Sequence, residues 1–398
     1  MRDVAIVLAL TGTGLAVARA LRGSGMVVIG VDNDAWRPGV WSRDLRWVGG
    51  LSELPLGEPL VDAIVAFARR ERCRPVLVPA ADDAIEWLLA HRVALGRCCT
   101  FSAGYVDARA GVLLDKLRFA AGCSELGIDV PLTVLPESRA DVDAFVRQAG
   151  LPCIVKPRSG HKWRQRLRGQ KLLVPQTEAE MHRMLDEIVG DPSAVVLQEL
   201  IPGDEAEITV GAVWVGEQGD LRSMLTARKM RQFPRDFGSG SWVRTEPLPE
   251  IARLSAEVVA ALDVRGLCGT EFKRDRRTGR HRLIEINPRP TLWYDLCRAA
   301  GVELVRGHVE ELRDGTRWPI APQRDGVSWR YWTRDVIAMG QASGGLRGLP
   351  GWLGQEWATP HADTEATMSL RDPTTIVASV AHTGWQAVTH LLRRGGAD

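Results

Sequence analysis

The chain holds 7 cysteines, an odd number, and no CxxC pair occurs among them. That speaks against a zinc ribbon and against a disulfide framework, and for a reducing, cytoplasmic setting. The adjacent Cys98 and Cys99 read as loop or core packing. No run of about 18 apolar residues appears, so no membrane-spanning helix is expected. Glycines and arginines interrupt the first apolar stretch, which reads as a strand and a helix rather than a signal peptide. Charge of one sign is also missing. The 51 basic and 49 acidic side chains leave a formal charge of +2, which gives no case for a nucleic acid partner. Aromatics other than tryptophan are few, with 3 tyrosines and 7 phenylalanines, so a stacking surface for single strands is not expected either. No internal repeat and no low-complexity tract is found.

What remains is ordinary for a soluble globular protein: 398 residues, 45% hydrophobic and 25% charged. That is enough for two or three domains with a sizeable core. Val4 to Leu10 is an apolar run suited to a buried parallel strand, followed by the glycine turn TGTG. Leu15 to Leu21 has helical periodicity, and Val27 to Val31 is a strand ending at Asp32. This is a βαβ unit of the doubly wound type. TGTG lacks a full GxGxxG, so a structural turn or a small-ligand edge is favoured over a dinucleotide site. A helix is expected from Leu60 to Arg72 and a strand from Pro75 to Pro79. Asp82, Asp83 and Glu86 then open a helix, where acidic residues fit the positive end. Residues 1–110 are expected to form a small α/β domain with roughly four parallel strands.

A second domain is expected over 111–320, with subdomains 111–200 and 201–320. A helix and a strand lead to a short helix over 141–149 and to the strand from Leu151 to Lys156, which Pro157 halts. Arg158 to Lys171 reads as a basic, glycine-punctuated loop. A helix over 178–189 and a strand from Ala194 to Leu200 follow. Ala206 to Val215 and Leu221 to Met230 read as longer, antiparallel strands. The stretch MRQFPRDFGSGSW reads as a glycine-rich loop able to move over a substrate. A helix over 250–262 precedes the strands Gly269 to Arg274 and Arg282 to Asn287, joined at Arg277 to Gly279. A helix from Gly301 to Val309 opens the tail. WRYWTRDVIAM reads as partly helical, and GQASGGLRGLPGW as a loop. Residues 321–398 are expected to be an extension packing on the second domain, its tryptophans forming a packed lid or an exposed partner surface.

The chemistry gathers at LIEINPRPTLWYDL. Glu285 and Asn287 share one face of a strand, and Arg289 follows the break at Pro288. Glu271 lies on the preceding strand, within reach across the pair. Two carboxylates and an amide suit Mg2+, with Mn2+ as an alternative ion, and a guanidinium suits phosphate or carboxylate. Buried acids without partners would be costly, so a metal or nearby basic residues should compensate them. The plainer alternatives are a Glu271–Lys273 salt bridge and a solvated edge strand. Lys116, Lys156 and Lys229 are candidate phosphate contacts; each could instead be a solvated cap. SGHKWRQRLRGQK could wrap a triphosphate or be a solvated loop.

These residues together resemble the ATP-grasp ligases, and most of all the branch of predicted carboxylate–amine ligases that includes D-aspartate ligase-like proteins. The resemblance runs from residue 4 to about residue 310, and Asp372-Pro373 in the tail shares it more weakly. It implies an α/β (α+β) ATP-grasp fold preceded by a small parallel-sheet pre-ATP-grasp domain. It implies ATP as cofactor, with Lys116 of LLDK at the phosphates and Lys156 of VKP at adenine and the α-phosphate. Glu199, Leu200 and Ile201 would meet the base edge, largely through backbone groups. Glu207 would accept from the ribose hydroxyls. Lys229 would contact the γ-phosphate, with Arg228 and Arg231 near it. Glu271, Glu285 and Asn287 would bind magnesium, and Arg289 would face the acyl phosphate or the acceptor. The basic loop is heavier than in many relatives, so His161 and its arginines are assigned to the particular substrate; His161 is also the candidate general base. By resemblance, TGTG faces the carboxylate substrate or closes the cleft.

The implied reaction activates a carboxylate as an acyl phosphate, which an amine then attacks. The implied partners are a small carboxylic acid or amino acid and an amine or second amino acid, with a homodimer as the default assembly. Carboxylation, or ligation through another nucleophile, is the alternative within enzymes. A nucleotide-binding module without catalysis and an NAD-binding oxidoreductase are the readings outside ligation.

Overall fold

In a computed structural model, residues 3–157, 172–186, 190, 195–342, 354 and 361–394 are described. The chain opens as β1 (Val4–Leu8), α1 (Gly12–Ala20), β2 (Val27–Val31), α2 (Glu58–Glu71), β3 (Val76–Pro79) and α3 (Asp82–Leu95). Then come α4 (Ala108–Leu114), α5 (Lys116–Glu125), β4 (Thr133–Val134), α6 (Arg139–Ala149), β5 (Cys153–Pro157), α7 (Glu178–Met184) and β6 (Val195–Glu199). The central stretch is β7 (Ile208–Val215), β8 (Leu221–Phe233), β9 (Ser239–Thr245), α8 (Pro249–Ala261), β10 (Gly266–Arg274) and β11 (His281–Asn287). The chain finishes with α9 (Asp295–Ala299), α10 (Leu304–Asp314), β12 (Ser328–Arg330), α11 (Trp332–Ala342), β13 (Thr364–Glu365) and α12 (Pro373–Arg394).

Packing divides the chain into two compact units. The first comprises Met1–Ala110, Glu205–Thr270 and Ile286–Asp398; the second comprises Gly111–Asp204 and Glu271–Glu285. This division interleaves segments that a linear reading keeps apart, and it passes through β10 and β11.

In the first unit, β1 lies between β2 and β3, all parallel. The expected fourth strand is not found among the described residues. Single parallel bridges, Ile29 to Arg46 and Val76 to Thr100, stand at the two edges instead. At each edge the chain pairs at one residue and then leaves the sheet. The TGTG turn is shaped by packing. Thr11 caps α1 by accepting from Thr13 N, and a Cβ on Gly14 would stand 2.1 Å from the Ala9 carbonyl oxygen. Asp32, where a dinucleotide site would place a ribose carboxylate, accepts from Leu10 N at 2.7 Å and from Arg37 at 2.9 Å. Its charge is engaged inside the protein.

The large sheet runs in the order β11-β10-β7-β8-β9-β12-β13. β7 and β8 pair antiparallel, as do β8 and β9. MRQFPRDFGSGSW is therefore not one loop. β8 continues to Phe233, five residues turn, and β9 starts at Ser239. The tail is also more regular than its sequence suggests. β12 extends the sheet beside β9, and WRYWTRDVIAM is a strand end followed by a helix. The helix expected over 301–309 starts at Leu304 and runs on to Asp314. GQASGGLRGLPGW falls on residues outside those described apart from its first three, which end α11.

The tail is tied to the first segment of this unit. Arg19, almost fully buried, donates to the Glu365 and Ala366 carbonyl oxygens at 2.7 and 2.9 Å. Asp372 accepts from Ser42 Oγ at 2.6 Å, and Pro373 opens α12 beside it. One apolar cluster joins α1, the strands β7 and β8, α10 and β12 through Val17, Trp214, Leu225, Val305 and Trp329. Gly307 is required there, because a Cβ on it would stand 2.4 Å from the Trp214 ring.

The second unit has its own small antiparallel sheet, β4-β6-β5, and its own core. Cys153, Val155, Val195 and Leu197 pack with Phe145 of α6 and Met181 of α7. Strand alternation turns the next residues, Ile154, Lys156 and Gln198, to the opposite face.

Among the described residues, no helix is long and apolar enough to cross a membrane.

Candidate active site

The second unit brings together Lys116, Lys156, Glu271 and Glu285. Lys116 is the first residue of α5, whose Asp115 cap accepts from Leu117 N and Arg118 N at 3.0 and 3.1 Å. The cap occupies two backbone donors of the first turn and sets the direction in which the helix starts. Lys156 closes β5, and its Nζ donates to Gln198 Oε1 at 2.7 Å. Gln198 is held in turn by Thr133 Oγ1, to which its amide donates at 3.1 Å. The Lys156 pKa falls to about 8. Burial of the ammonium is the chief cause and Lys116 adds to it, while Glu285 and Glu271 act the other way. Two cations and two carboxylates therefore sit within electrostatic reach of one another, and their balance leaves the lysine charge under-stabilised.

The sequence reading expected buried acids in need of compensation. The structure corrects this: Glu285 is exposed and Glu271 half-buried. Both lie within electrostatic reach of Lys156, but burial alone does not demand a cation beside them. Among the described residues no group of three or more His, Cys, Asp or Glu side chains could hold a metal ion.

Glu199 ends β6, and its carboxylate is taken up by arginines. Arg277 donates to Oε1 at 2.5 Å and Arg282 to Oε2 at 2.9 Å. Glu199 N donates to the Leu132 carbonyl oxygen at 2.8 Å. Burial would raise the Glu199 pKa, but the Arg277, Leu132 N–H and Arg282 bonds outweigh it and the net shift is downward. Leu200 and Ile201 lead out of the strand, with Ile201 buried. His161 and the rest of the basic loop lie outside the described residues.

The first unit holds Glu207, Arg228, Lys229, Asn287 and Arg289. Glu207 ends a single 3-10 turn directly before β7. Lys229 lies on β8 and is 3% exposed, rare for a lysine. Its stem passes Gly240 of β9, where an added Cβ would stand 3.7 Å from Lys229 Cγ and 2.8 Å from Val243 Cγ2. Arg228 donates through Nε to Glu246 at 2.9 Å and through a terminal nitrogen to the Ala206 carbonyl oxygen at 2.6 Å. Arg289 donates to Asp82 at 2.6 Å, so this guanidinium meets the start of α3. Asn287 ends β11, two residues from Glu285 on the same strand face.

Four partners escaped the sequence reading. Gln198 positions Lys156. Asp335, fully buried at the start of α11, grips Arg231 through two bonds of 2.9 and 2.7 Å and also accepts from Arg330 at 2.6 Å and Ser241 at 2.8 Å. Glu205 accepts from Gln232 N and Asp236 N, fastening the β8–β9 turn. Arg282 fixes Glu199. Nothing in the local sequence marks these, because each acts across strands far apart in the chain.

The ATP-grasp domain family model matches residues 113–292. This stretch is an ATP-grasp domain. It begins beside Lys116 and ends just past Arg289, and the small parallel sheet precedes it. D-aspartate ligase from Enterococcus faecium (strain Aus0004) is 24% identical over 224 residues, 54% of this chain and 53% of that protein. The match thus spans about half the length of that curated relative. N5-carboxyaminoimidazole synthetase from Staphylococcus aureus shares the fold with a TM-score of 0.65 at 13% identity, over 86% of this chain and 87% of that one. N5-carboxyaminoimidazole ribonucleotide synthetase from Thermus thermophilus gives 0.60 at 17%, over 82% and 81%. Biotin carboxylase from Campylobacter jejuni gives 0.58 at 14%, over 79% and 72%. At these identities the likeness to the solved structures is one of fold, and it extends well beyond the ATP-grasp domain.

Proposed function

We propose that this protein is an ATP-dependent ligase that activates a carboxylate or bicarbonate by phosphorylation and passes the carbonyl carbon to a nucleophile. The supporting observation is the Lys156 pocket: a desolvated ammonium with a second lysine and two carboxylates around it. An anionic phosphate would supply the countercharge that the pocket lacks. Lys116 and Lys156 would then contact phosphate oxygens, and Lys229 the γ-phosphate. Leu200, Ile201 and the backbone of Glu199 would meet adenine, and Glu207 the ribose. Glu271 and Glu285, with Asn287, have the oxygen donors that Mg2+ prefers, and the ion would take its other ligands from phosphate and water. When bound, Mg2+ neutralises charge on the β- and γ-phosphates.

The chemistry then follows from the charges. A carboxylate oxygen attacks the γ-phosphorus, the bond to the β-phosphate oxygen breaks, and ADP leaves. The mixed anhydride has a phosphate leaving group. A nucleophile attacks its carbonyl carbon, phosphate departs, and the nucleophile loses a proton. Lysines held at the phosphates would stabilise the charge that moves between them without reorganising. Arg289 is assigned to the acyl phosphate or acceptor, Arg228 to support of Lys229 through its hold on Glu246, and His161 to the particular substrate.

Two activated acids fit this scheme. The solved relatives named above include a biotin carboxylase and two synthetases of carboxyamino products. They favour bicarbonate as the activated acid over the amide-forming reading that the sequence puts first. The D-aspartate ligase relative supports the latter. A phosphate-release assay with ATP and Mg2+ separates them. Release that requires bicarbonate with an amine or amide nucleophile, and stops in carbonate-free buffer, identifies a carboxylase. Release that requires a small acid and an amine regardless of carbonate identifies an amide-forming ligase. Glu285→Ala is expected to lower release by at least about a hundredfold while preserving the circular dichroism spectrum. Unchanged turnover in that variant removes Glu285 from the metal site.

A further inference from the structure

The strongest unused feature is a set of six charges around Glu199. Arg282 spends all three of its nitrogens: Nε on Asp129 Oδ1 at 2.9 Å, one terminal nitrogen on Glu199 at 2.9 Å and the other on the Val130 carbonyl oxygen at 2.6 Å. Arg277 bridges Glu199 at 2.5 Å and Asp275 at 2.6 Å. Arg280 adds an outer contact to Asp129 at 3.2 Å. Three acids meet three arginines. Asp275, 1% exposed, also shapes the β10–β11 turn, with its carbonyl oxygen accepting from Gly279 N at 2.7 Å and its carboxylate from Arg277 N at 2.9 Å.

The backbone follows the same route. Glu199 N donates to Leu132 O, and Leu283 N donates to Asp129 O, both at 2.8 Å. Residues 129–132 therefore lie between the end of β6 and the start of β11. One end of this bridge is the segment assigned to adenine. The other is the hairpin that bears Glu271 and Glu285. A solvated surface ion pair contributes about 0–1 kcal/mol and holds nothing in register. Here the Glu199 and Asp275 side chains are 11% and 2% exposed, and Arg282 is 15% exposed and bound at every nitrogen. Such a planar fork fixes direction as well as distance. A cavity of about 300 Å3 opens beside α5 against Arg282, whose three nitrogens are each already engaged.

We infer that Glu199, Arg277 and Arg282 are positioning residues that lock the base-binding hinge to the metal-bearing hairpin, so that seating the base and placing Glu271 and Glu285 are one event. The Glu199 carboxylate does this work from behind the hinge; its side chain is not a nucleotide contact. The inference rests on the ATP reading above.

The test is a paired measurement on Arg282→Met and Arg277→Met, with Arg282→Lys as the conservative variant. Binding of a fluorescent ATP analogue and the Mg2+ concentration for half-maximal phosphate release are both read, alongside kcat and the unfolding midpoint. Arg282→Met should weaken nucleotide binding and raise the Mg2+ requirement together, each about tenfold, the worth of one charge-assisted hydrogen bond. kcat at saturation of both should change by less than about threefold, since no reacting atom is touched. Arg282→Lys should recover only part of either effect, because a point charge cannot serve three acceptors in a fork. A loss in nucleotide binding with an unchanged Mg2+ requirement overturns the lock, as does a fall in the unfolding midpoint with both constants unmoved. If the unaltered protein fails to bind the nucleotide, the ATP reading itself falls and the inference goes with it.

Discussion

Two charges in this molecule, the fully buried Asp335 and the half-buried Lys156, have pKa values that move in the same direction for opposite reasons. Asp335 is fully buried, and burial alone would raise its pKa, yet Arg231 and Arg330 together with Ser241 bring it down. Its charge is over-compensated. Lys156 also falls, to about 8, because burial and Lys116 outweigh the pull of Glu285 and Glu271. Its charge is under-compensated. A knot that satisfies its own ion has nothing left to offer a ligand. A pocket that leaves its cation short of countercharge has an affinity for anions built in. The comparison sets the first apart as structural and leaves the second as the candidate for the phosphate recognition proposed above.

Breaking the Asp335 knot should have the largest effect on stability. Asp335→Ala removes an acceptor from the buried Arg330 and, from Arg231, the two bonds that Asp335 accepts. A loss of about 3–5 kcal/mol in denaturant unfolding is expected. Because the folded pKa is depressed, this contribution is present above the unfolded value of 3.8 and is lost as pH falls through the folded one. The gap between variant and parent should therefore close below about pH 4. A gap of the same size at pH 3 would mean that packing, not charge, carries the knot.

Lys156→Met should leave stability nearly intact and act on nucleotide binding. An anion prefers the ammonium protonated, so ATP affinity of the unaltered protein should fall by up to about tenfold per pH unit above pH 8. The variant should bind more weakly at pH 7 and lose that pH dependence. In the absence of nucleotide the slope of stability with pH has the same sign as in the Asp335 case. Between about 8 and 10.5 the unfolded chain holds the proton that the folded one releases, so stability rises with pH across that window.

The smallest effect sharpens the contrast. Arg253 and Glu257 pair at 2.7 Å on α8 with 60% and 58% of their side chains exposed. Arg253→Ala should cost no more than about 0.5 kcal/mol and should be insensitive to nucleotide. A loss comparable to that of Asp335→Ala would show that burial is not what separates these ion pairs.

The sequence reveals local patterns well and long-range pairing poorly. β1, α1 and β2 are legible because a buried parallel strand is a continuous apolar run and a glycine turn punctuates it. The ATP-grasp fold is legible through Lys116, Lys156 and the run from Glu271 to Arg289, whose spacing survives in one segment. β9 is not, because GSGSW has the composition of a loop. Its glycines are there since Gly240 must clear Val243 and the Lys229 stem. The expected fourth parallel strand reduces to single bridges at Arg46 and Thr100. Gln198, Arg282 and Asp335 could not be singled out. Gln198 meets Lys156 from 42 residues away, Arg282 meets Glu199 from 83, and Asp335 meets Arg231 from 104. Only the strand pairing that the fold creates gives them their roles.

The central claim concerns the charge state of Lys156, and the side-chain resonance of that lysine reports it directly. Titrated by NMR without nucleotide, it should show a midpoint at about 8, and saturating ATP with Mg2+ should move that midpoint upward. A midpoint near 10.5 that does not respond to ATP would contradict the account.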